Sequence, residues 1–312
     1  MDLILYHNAC PDGWTAAYIC KKKYPEAELV PLNHGLDSLQ IALLLSQCTD
    51  KDVIMVDYSL RTRELNDQLN AVAESFRILD HHKTAQAALE GADYATFDMK
   101  RSGAGLAWDY LFGKDADLPR MPHGEVRPWW VNYAEDQDLW NWALPNSDLI
   151  NAFLMVQPKT VEAWDDLTNR HDVISAAEAG IGTRAYIEYY TKNVVADLQE
   201  GVLVFEGRNY RTAVLNIPYS GVSEAGNAVC KMGYDIGLAW FERGDGITQF
   251  SLRSNKEAEG GGVDVSAIAK SHGGGGHRNA AGFQLPYNRA RLLVDVVLGR
   301  SSYAIEPGTC VR

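Results

Sequence analysis

Three apolar segments of the chain each end in a side chain that can bind a metal ion. LILYH ends at His7, DVIMVD ends at Asp57, and FRILD ends at Asp80, which is followed at once by His81 and His82. A single aspartate after a strand is more often a helix cap or a turn residue. Three such endings favour a shared site, because the carboxyl ends of parallel strands lie along one edge of a sheet.

These residue types indicate a divalent metal centre. Mg²⁺ and Mn²⁺ bind carboxylate oxygens, and imidazole nitrogen shifts the preference toward Mn²⁺ or a similar transition metal. Two such ions, about 3.5–4 Å apart, activate water and neutralise the charge that builds on a phosphoryl group. The pair needs a carboxylate between the ions, and Asp57, at the end of a central strand, is placed to supply it.

A second motif, at residues 271–283, reads SHGGGGHRNAAGF. Backbone N–H groups in a glycine run can approach an anion closely, which predicts a phosphate site. The alternative is a flexible surface turn, but the AAGF that follows indicates a packed turn into a strand. The predicted phosphate contacts are Gly274, Gly275, Gly276, His277 and Arg278.

The segments around the first motifs alternate between strand-like and helix-like patterns. This order predicts an α/β fold whose N-terminal domain is a parallel sheet with helices on both faces. The predicted strands are Leu3–His7, Glu28–Leu32, Asp52–Asp57 and Phe76–Asp80, and the predicted helices are Gly13–Tyr24, Ser38–Gln47 and Arg61–Ser75.

Helices dominate after residue 100, and a change of composition near residues 190–204 predicts a domain boundary. We expect an N-terminal metal-binding phosphoesterase domain with a helical linker over residues 1–190, and a smaller C-terminal α/β substrate-binding domain over residues 200–312. The later predicted helices are Ser102–Phe112, Pro128–Leu139, two or more within Glu162–Leu198, Ser223–Lys231 and Val263–Ser271. The later predicted strands are Val202–Phe205, Arg211–Asn216, Ile236–Glu242 and Thr248–Arg253.

The overall composition narrows the classes of function. The 312 residues carry a formal net charge of -12, which argues against a long nucleic-acid track, because such a track needs a strongly basic surface. Five scattered cysteines without a CxxC pair predict a reducing, cytoplasmic compartment. The chain has no run of about 18 apolar residues and no leader-like start, so neither a membrane span nor a signal peptide is expected.

Taken together, these residues resemble the DHH phosphoesterase superfamily. Its name-giving triplet stands here as Asp80-His81-His82, after VDYS at residues 56–59 and about 190 residues before GGGGHRNAAGF. The glycine segment is similar to the signature of the DHH-associated C-terminal domain. That domain accompanies RecJ-type single-strand exonucleases, nano-RNases and cyclic-dinucleotide phosphodiesterases. The triplet alone recurs by chance, whereas the motifs in this order are specific.

The resemblance implies a role for each matching residue. Asp57 would bridge two metal ions, and Asp12 and His81 would also be metal ligands. Asp80 would orient a neighbouring histidine, and His82 would face the substrate phosphate. Asp80, His81 and His82 are thus the predicted catalytic group.

The resemblance also implies a later aspartate ligand and contacts from the C-terminal domain. EDQDLW at residues 135–140 is the best match for the aspartate, with Asp136 preferred by its spacing from His81 and Asp138 as the alternative. His277 and the glycines would hold the phosphate of the nucleotide. Arg253 would assist them, with a surface salt bridge as an equal alternative.

The first motif departs from the family pattern, in which a histidine precedes two aspartates separated by one residue. Cys10 occupies the place of the first aspartate, and His7 lies one residue closer than expected. A thiolate binds soft metals but replaces carboxylate poorly for Mg²⁺. We expect His7 to be a metal ligand rather than only a strand cap, and one metal site to be altered.

Other conspicuous side chains are expected to be structural. Core packing, or a wall of the substrate cleft, explains Trp129, Trp130, Trp140 and Trp142 better than a base-stacking track does. His34, His123, His171 and His272 have no motif context and are expected in structural or surface positions.

The sequence therefore predicts a metal-dependent phosphodiester hydrolase with two Mn²⁺ ions, or with Mg²⁺ or another divalent metal in their place. Short oligonucleotides or small nucleotides, including cyclic ones, are the expected substrates. The alternatives are a single-strand exonuclease, a nucleotide phosphatase, and a nucleotide-binding protein that lost catalysis with the aspartate at position 10. No membrane partner is expected, and the sequence leaves oligomerisation open.

Overall fold

The computed structural model describes residues 1–8, 10–113, 127–218 and 221–301. They form two compact units, Met1–Arg184 and the part of the chain from Ala185 onward. His123 and the fifth cysteine, Cys310, lie outside the described ranges. No helix within these ranges is both long enough and apolar enough to cross a lipid bilayer.

The first unit is built on a five-stranded sheet. Its strands are β1 Leu3–His7, β2 Glu28–Leu32, β3 Asp52–Val56, β4 Ser75–Asp80 and β5 Ala95–Phe97. All neighbouring strands are parallel and the order is β2-β1-β3-β4-β5, so the predicted parallel sheet is confirmed. The short edge strand β5 was not predicted.

Helices lie on both faces of this sheet, as the alternation of its side chains requires. Ile4, Ile54 and Leu79 belong to a hydrophobic core on one face, and Leu3, Met55 and Ile78 belong to a core on the other. The helices are α1 Pro11–Lys23, α2 Ser38–Cys48, α3 Arg63–Val72, α4 Lys83–Ala88, α5 Gly103–Phe112, α6 Trp129–Asp138, α7 Ser147–Met155, α8 Val161–Arg170 and α9 Val173–Ala196.

The order of the strands creates a place for a site. From β1 the chain crosses first to β2 and then to β3, which lies on the opposite side of β1. A crevice opens at the carboxyl ends of the strands where the winding direction changes in this way. His7 is the last residue of β1, Asp57 follows β3, and Asp80 is the last residue of β4. The three predicted ligand-bearing strand ends therefore lie on one edge of one sheet.

The second unit contains a six-stranded mixed sheet. Its elements are β6 Gln199–Phe205, β7 Arg208–Asn216, α10 Val222–Lys231, β8 Ile236–Glu242, β9 Ile247–Arg253, α11 Val265–Ser271, β10 Gly275–His277, β11 Ala280–Pro286 and α12 Tyr287–Val297. The order is β10-β11-β9-β8-β7-β6, and the β7–β8 pair is parallel while the other neighbouring pairs are antiparallel. Buried residues such as Phe250, Phe283 and Leu293 form its core. This is the predicted second α/β fold.

Close packing of α9 on α7 depends on one glycine. A Cβ atom at Gly180 would lie 1.9 Å from the carbonyl oxygen of Leu149, whereas a Cβ atom at Gly182 would meet no atom within 4 Å. We expect Gly180→Ala to lower the free energy of unfolding by about 1–3 kcal/mol through overpacking. Gly182→Ala, the matched control, should leave it unchanged or raise it by up to about 1 kcal/mol. Urea denaturation measures both, and equal effects would contradict the contact with α7.

Candidate metal centre

Three carboxylates surround one nitrogen atom of His81. Its Nε2 atom lies 3.0 Å from Oδ1 of Asp57, 3.5 Å from Oδ2 of Asp138 and 3.8 Å from Oδ2 of Asp12. The side chains of His81, Asp12 and Asp57 are almost completely buried, and Asp138 is slightly more exposed. These residues come from four separate segments of the chain, so only the folded sheet edge brings them together.

Asp57 contacts two groups of candidate ligands. Its Oδ1 atom faces His81, and its Oδ2 atom lies 3.5 Å from Nδ1 of His7. The ligand atoms of His7, Cys10 and Asp57 all lie within 4.8 Å of one another, and so do those of Asp12, His81 and Asp138. The structure therefore brings His7, Asp12, Asp57 and His81 together, and Asp57 stands between the two groups.

The donor set of this cluster fits a divalent metal ion. Oδ2 of Asp57, Oδ2 of Asp138 and Nδ1 of His7 are buried and form no hydrogen bond within the described part of the chain. Buried polar atoms of this kind are costly unless a partner offsets their loss of water. Carboxylate oxygen, imidazole nitrogen and thiol sulfur are all ligands of Mn²⁺-like and Zn²⁺-like ions. A cation is the partner that would satisfy all three atoms.

The protonation equilibria reflect the crowding of negative charge. Burial raises the pKa of Asp12 well above its usual range, and the charges of Asp138 and Asp57 raise it further. Burial also raises the pKa of Asp138. For Asp57, burial opposes ionisation, but the imidazoles of His7 and His81 outweigh it and hold the pKa below its usual range. Asp57 is thus the carboxylate that stays ionised most easily.

The start of α5 orients Asp12. Oδ2 of Asp12 accepts a hydrogen bond from the backbone N–H of Gly103 at 2.6 Å, and Oδ1 accepts one from Ala104 at 3.1 Å. The positive end of the helix dipole there favours a negative charge. A Cβ atom at Gly103 would lie 2.4 Å from Cβ of Asp57, and one at Gly13 would lie 2.3 Å from the carbonyl oxygen of His7. The absence of side chains at these two glycines leaves room for the cluster.

Glu135, which lies on α6, forms hydrogen bonds that hold the start of α5 in place. Its Oε2 atom accepts the backbone N–H of Ser102 at 3.2 Å, and its Oε1 atom accepts a hydrogen bond from Arg101 at 3.1 Å. A Cβ atom at Gly105 would lie 1.8 Å from Oε2 of Glu135, so the glycine makes room for this carboxylate. Glu135 was not predicted to have a role, although it directly precedes Asp136 in the EDQDLW motif.

Asp80 orients the backbone and side chain of His82. Oδ1 of Asp80 accepts hydrogen bonds from the backbone N–H groups of His81 and His82 and lies 2.7 Å from Nδ1 of His82. Its Oδ2 atom accepts a hydrogen bond from the hydroxyl of Ser59 at 2.6 Å. Burial opposes ionisation of Asp80, but the His82 imidazole outweighs it and lowers the pKa of Asp80 to about 2. This is the geometry that the predicted orienting role requires.

The preference for Asp136 over Asp138 needs correction. Both carboxylate oxygens of Asp136 accept backbone hydrogen bonds, from Ala143 at 3.0 Å and from Leu144 at 3.2 Å. Among the described residues, no group of clustered ligand atoms includes Asp136. Asp138, two residues later, points its Oδ2 atom toward His81. Asp136 therefore stabilises the turn after α6, and Asp138 is the candidate ligand.

Two residues beside the cluster were not recognised in the sequence. The ring of His34 lies 4.7 Å from the ring of His7 and stacks on Tyr58, with 5.1 Å between centroids. The ammonium group of Lys159 donates hydrogen bonds to the carbonyl oxygens of Asn8 at 3.0 Å and Cys10 at 3.5 Å. A signal existed for His34, because it follows β2, the neighbour of β1 at the same sheet edge. Lys159 is distant in sequence and gave no signal.

Arg278 forms structural contacts, and its predicted phosphate contact stays a prediction. Its guanidinium group donates hydrogen bonds to the carbonyl oxygens of Gly260 at 3.0 Å and Gly262 at 2.9 Å, and it lies 3.7 Å from Asp264. These contacts fix the turn at residues 260–262. Arg253 donates hydrogen bonds to the hydroxyl of Ser223 at 2.8 Å and to the carbonyl oxygen of Leu252.

The glycine run is partly a strand rather than a loop. Gly275 and Gly276 pair with Gly282 and Ala281 in the β10–β11 hairpin, and His277 is the last residue of β10. A Cβ atom at Gly274 would lie 2.0 Å from the carbonyl oxygen of Gly282, and one at Gly276 would lie 2.6 Å from that of Ala280. Close backbone packing therefore explains glycine at these two positions. The N–H group of Gly274 donates to the carbonyl oxygen of Ala269 at 2.8 Å, so the prediction that it contacts a phosphate is wrong. Phosphate binding by Gly275, Gly276, His277 and Arg253 stays a prediction.

Substitution of the two aspartates in α6 separates the ligand from the structural residue. We expect Asp138→Asn to weaken Mn²⁺ binding by at least about 10-fold, since loss of even an outer-sphere partner costs about 10- to 100-fold. Its folding stability should be unchanged or higher, because one of three crowded negative charges is removed. Asp136→Asn should keep most of the Mn²⁺ affinity but lower stability by about 1–2 kcal/mol through loss of a hydrogen-bond acceptor.

Calorimetric titration with Mn²⁺ and thermal unfolding measure these two quantities on the same samples. The reverse result, with metal binding lost only in Asp136→Asn and its stability intact, would restore the original choice of ligand.

Comparison with known proteins agrees with this architecture. A family model described as the DHHA1 domain matches residues 216–300. The chain is 28% identical over 301 residues to the uncharacterised protein R106 of Acanthamoeba polyphaga mimivirus, covering 90% of this chain and 67% of that protein.

Two solved structures of RecJ share the fold. The Mn²⁺ complex of RecJ from Thermus thermophilus is 16% identical, with a TM-score of 0.52, and the match covers 98% of this chain and 53% of that one. A second structure, of the exonuclease RecJ bound to manganese, is 16% identical with a TM-score of 0.51, covering 98% of this chain and 91% of that one. The chain thus contains a DHHA1 domain at residues 216–300, shares the fold of RecJ, and carries the Asp80-His81-His82 triplet at the end of β4.

Proposed function

We propose that this protein hydrolyses phosphodiester bonds in short oligonucleotides or small nucleotides. The observation that carries the proposal is the position of Asp57, whose two carboxylate oxygens face His81 on one side and His7 on the other. A carboxylate between two groups of ligands is what a two-ion phosphoesterase requires. The net charge of -12 favours a small substrate over a long polymer.

We propose two divalent ions, preferably Mn²⁺, held by residues of the two groups. His7, Cys10 and Asp57 would hold one ion. Asp12, His81 and Asp138 would hold the other together with Asp57. When bound, such ions lower the pKa of a coordinated water and withdraw charge from a phosphoryl oxygen. The mixture of imidazole, thiol and carboxylate supports Mn²⁺ over Mg²⁺, which prefers oxygen ligands alone.

His82 is the proposed hydrogen-bond donor to the substrate phosphate. Its Nδ1 atom is held by Asp80 at 2.7 Å, which leaves Nε2 as the other polar atom of the ring. Burial lowers the pKa of His82, but the charge of Asp80 outweighs it and raises the pKa above its ordinary value. The protonated ring therefore persists at higher pH than a free imidazole would. In the second unit, His277, Gly275 and Gly276 are further proposed phosphate contacts.

The first experiment is a substrate panel with Mn²⁺. It contains dinucleotides, five-residue RNA and DNA, cyclic dinucleotides and a 3′,5′-bisphosphate nucleotide. We expect turnover of one short class, and we expect Asp57→Asn to reduce it by more than about 100-fold, because loss of an outer-sphere partner alone costs up to that much. Asp93→Asn, at an exposed position of the same unit, should retain full activity.

The outcome separates the proposal from its rivals. Rates that rise with strand length and fall steeply with salt would favour a single-strand exonuclease, and the RecJ neighbour is named an exonuclease. Removal of a terminal phosphate alone would indicate a phosphatase. Nucleotide binding without turnover of any member of the panel would contradict the proposed hydrolase and favour a binding protein.

Cys10 should set the choice of metal. A carboxylate at this position would provide the hard oxygen ligand that Mg²⁺ prefers. We therefore expect Cys10→Asp to raise the ratio of Mg²⁺-supported to Mn²⁺-supported turnover by about 10-fold, which corresponds to about 1.4 kcal/mol. Cys10→Ser removes the thiol without adding a charge and is the matched control. An unchanged ratio in Cys10→Asp would show that Cys10 is not a ligand.

We also propose a cytoplasmic location. The four cysteines within the described ranges, Cys10, Cys20, Cys48 and Cys230, are all free, which supports a reducing compartment.

A further inference from the structure

We propose that Trp140 and Trp142 form a stacking platform for a nucleobase of the substrate. The proposal rests on the proposed function, and it adds the residues that would recognise the base of the substrate. The sequence alone favoured a packing role for all four tryptophans of this region, and the structure divides them into two pairs.

Burial separates the two pairs. Trp129 and Trp130 are each 6% exposed and belong to the hydrophobic core beside the sheet. Trp140 and Trp142 are half-buried, and neither belongs to a hydrophobic cluster formed by the described residues. Their rings contact each other edge to face, with 5.0 Å between centroids and 82° between planes. Core packing therefore accounts for the first pair and not for the second.

The backbone at both half-buried tryptophans is strained. Trp140 has a φ angle of 55° and Trp142 a φ angle of 52°. Bulky residues rarely adopt positive φ angles, and glycine or asparagine would be favoured there by folding alone. Strain of this kind concentrates at functional sites, where surrounding contacts maintain it. Two indoles within three residues, both in this conformation, are hard to explain by folding requirements.

Hydrogen bonds from Asp136 hold the strained turn in place. The carbonyl oxygen of Asp136 accepts the N–H groups of Asn141 at 2.9 Å and Trp142 at 3.4 Å. Its carboxylate accepts those of Ala143 and Leu144. The indoles thus stand on a fixed turn, and a fixed aromatic surface loses little freedom when a ligand stacks on it.

The turn adjoins the metal centre. Trp140 follows Asp138 by two residues, so their Cα atoms are within about 7.6 Å of each other. Oδ2 of Asp138 lies 3.5 Å from Nε2 of His81. In the proposed complex, the base of a nucleotide whose phosphate is held at the metal centre lies over this aromatic pair.

The chemistry of stacking predicts a particular selectivity. Every base has a π-face, so stacking on aromatic side chains tolerates any base. It gives no affinity for a phosphate compound that lacks a base. We therefore expect the enzyme to require a base, to accept purines and pyrimidines alike, and to discriminate against base-free phosphodiesters.

Binding of AMP and of ribose 5-phosphate tests the platform independently of turnover. In calorimetric titrations with Mn²⁺ present, the wild-type protein should bind AMP more tightly than ribose 5-phosphate. AMP should also quench the indole fluorescence, and ribose 5-phosphate should not. Trp142→Ala should raise the Kd for AMP by roughly 5- to 150-fold, the range for loss of one base–aromatic stack. Its Kd for ribose 5-phosphate should be unchanged, and Trp142→Phe should recover most of the affinity. Trp140→Ala should behave like Trp142→Ala.

Folding controls keep the test decisive. Trp142→Gly should unfold at no lower urea concentration than Trp142→Ala, because glycine relieves the positive φ angle. Trp130→Ala, in the core, should unfold at a clearly lower concentration. Equal affinity for AMP and ribose 5-phosphate, or an unchanged Kd for AMP in both alanine variants, would overturn the platform even if hydrolysis is observed. Base-dependent binding that is lost in the variants would support it even if no turnover is found.

Discussion

The first unit is organised around the electrostatic cost of burying three carboxylates beside one imidazole. Asp12, Asp57 and Asp138 all lie within 3.8 Å of Nε2 of His81. Charged groups can be buried only where opposite charge or hydrogen bonds offset their loss of water. A parallel sheet brings Asp57 and His81 to the same edge, because these residues directly follow β3 and β4, and the helices α1 and α6 add Asp12 and Asp138. The glycines at positions 13 and 103 and the left-handed backbone of Asp57 then allow an approach that ordinary side chains and backbone would prevent.

The three carboxylates are stabilised by different means, and this difference shows where a cation is most needed. Asp12 accepts two backbone N–H groups at the start of α5. Asp57 has an imidazole near each oxygen. Oδ2 of Asp138 has no hydrogen bond within the described residues and meets only the shared imidazole of His81 at 3.5 Å. The protein thus fixes the Asp12 and Asp57 carboxylates by hydrogen bonds and imidazoles, whereas Asp138 is the carboxylate with the fewest partners among the three.

The sequence predicted the sheet edge well because that information is local. An apolar strand that ends in a polar residue specifies both the element and its functional end, and this holds for His7, Asp57 and Asp80. The sequence did not distinguish Asp136 from Asp138. Side chains two residues apart project from different sides of a helix, and tertiary packing decides which side faces the site. The same limit applies to the glycine run, since glycine serves a phosphate site and a tight hairpin equally well. The hairpin becomes visible only in the structure, where β10 pairs with β11.

Asp136 connects the metal ligand with the half-buried tryptophans. Its carbonyl and carboxylate oxygens together accept four backbone N–H groups between residues 141 and 144. Asp138 is the last residue of α6, and Trp140 and Trp142 follow it in the turn that these hydrogen bonds stabilise. The two aspartates of the motif thus have different positions and contacts. Asp136 builds the turn, and Asp138 extends from it toward the metal centre.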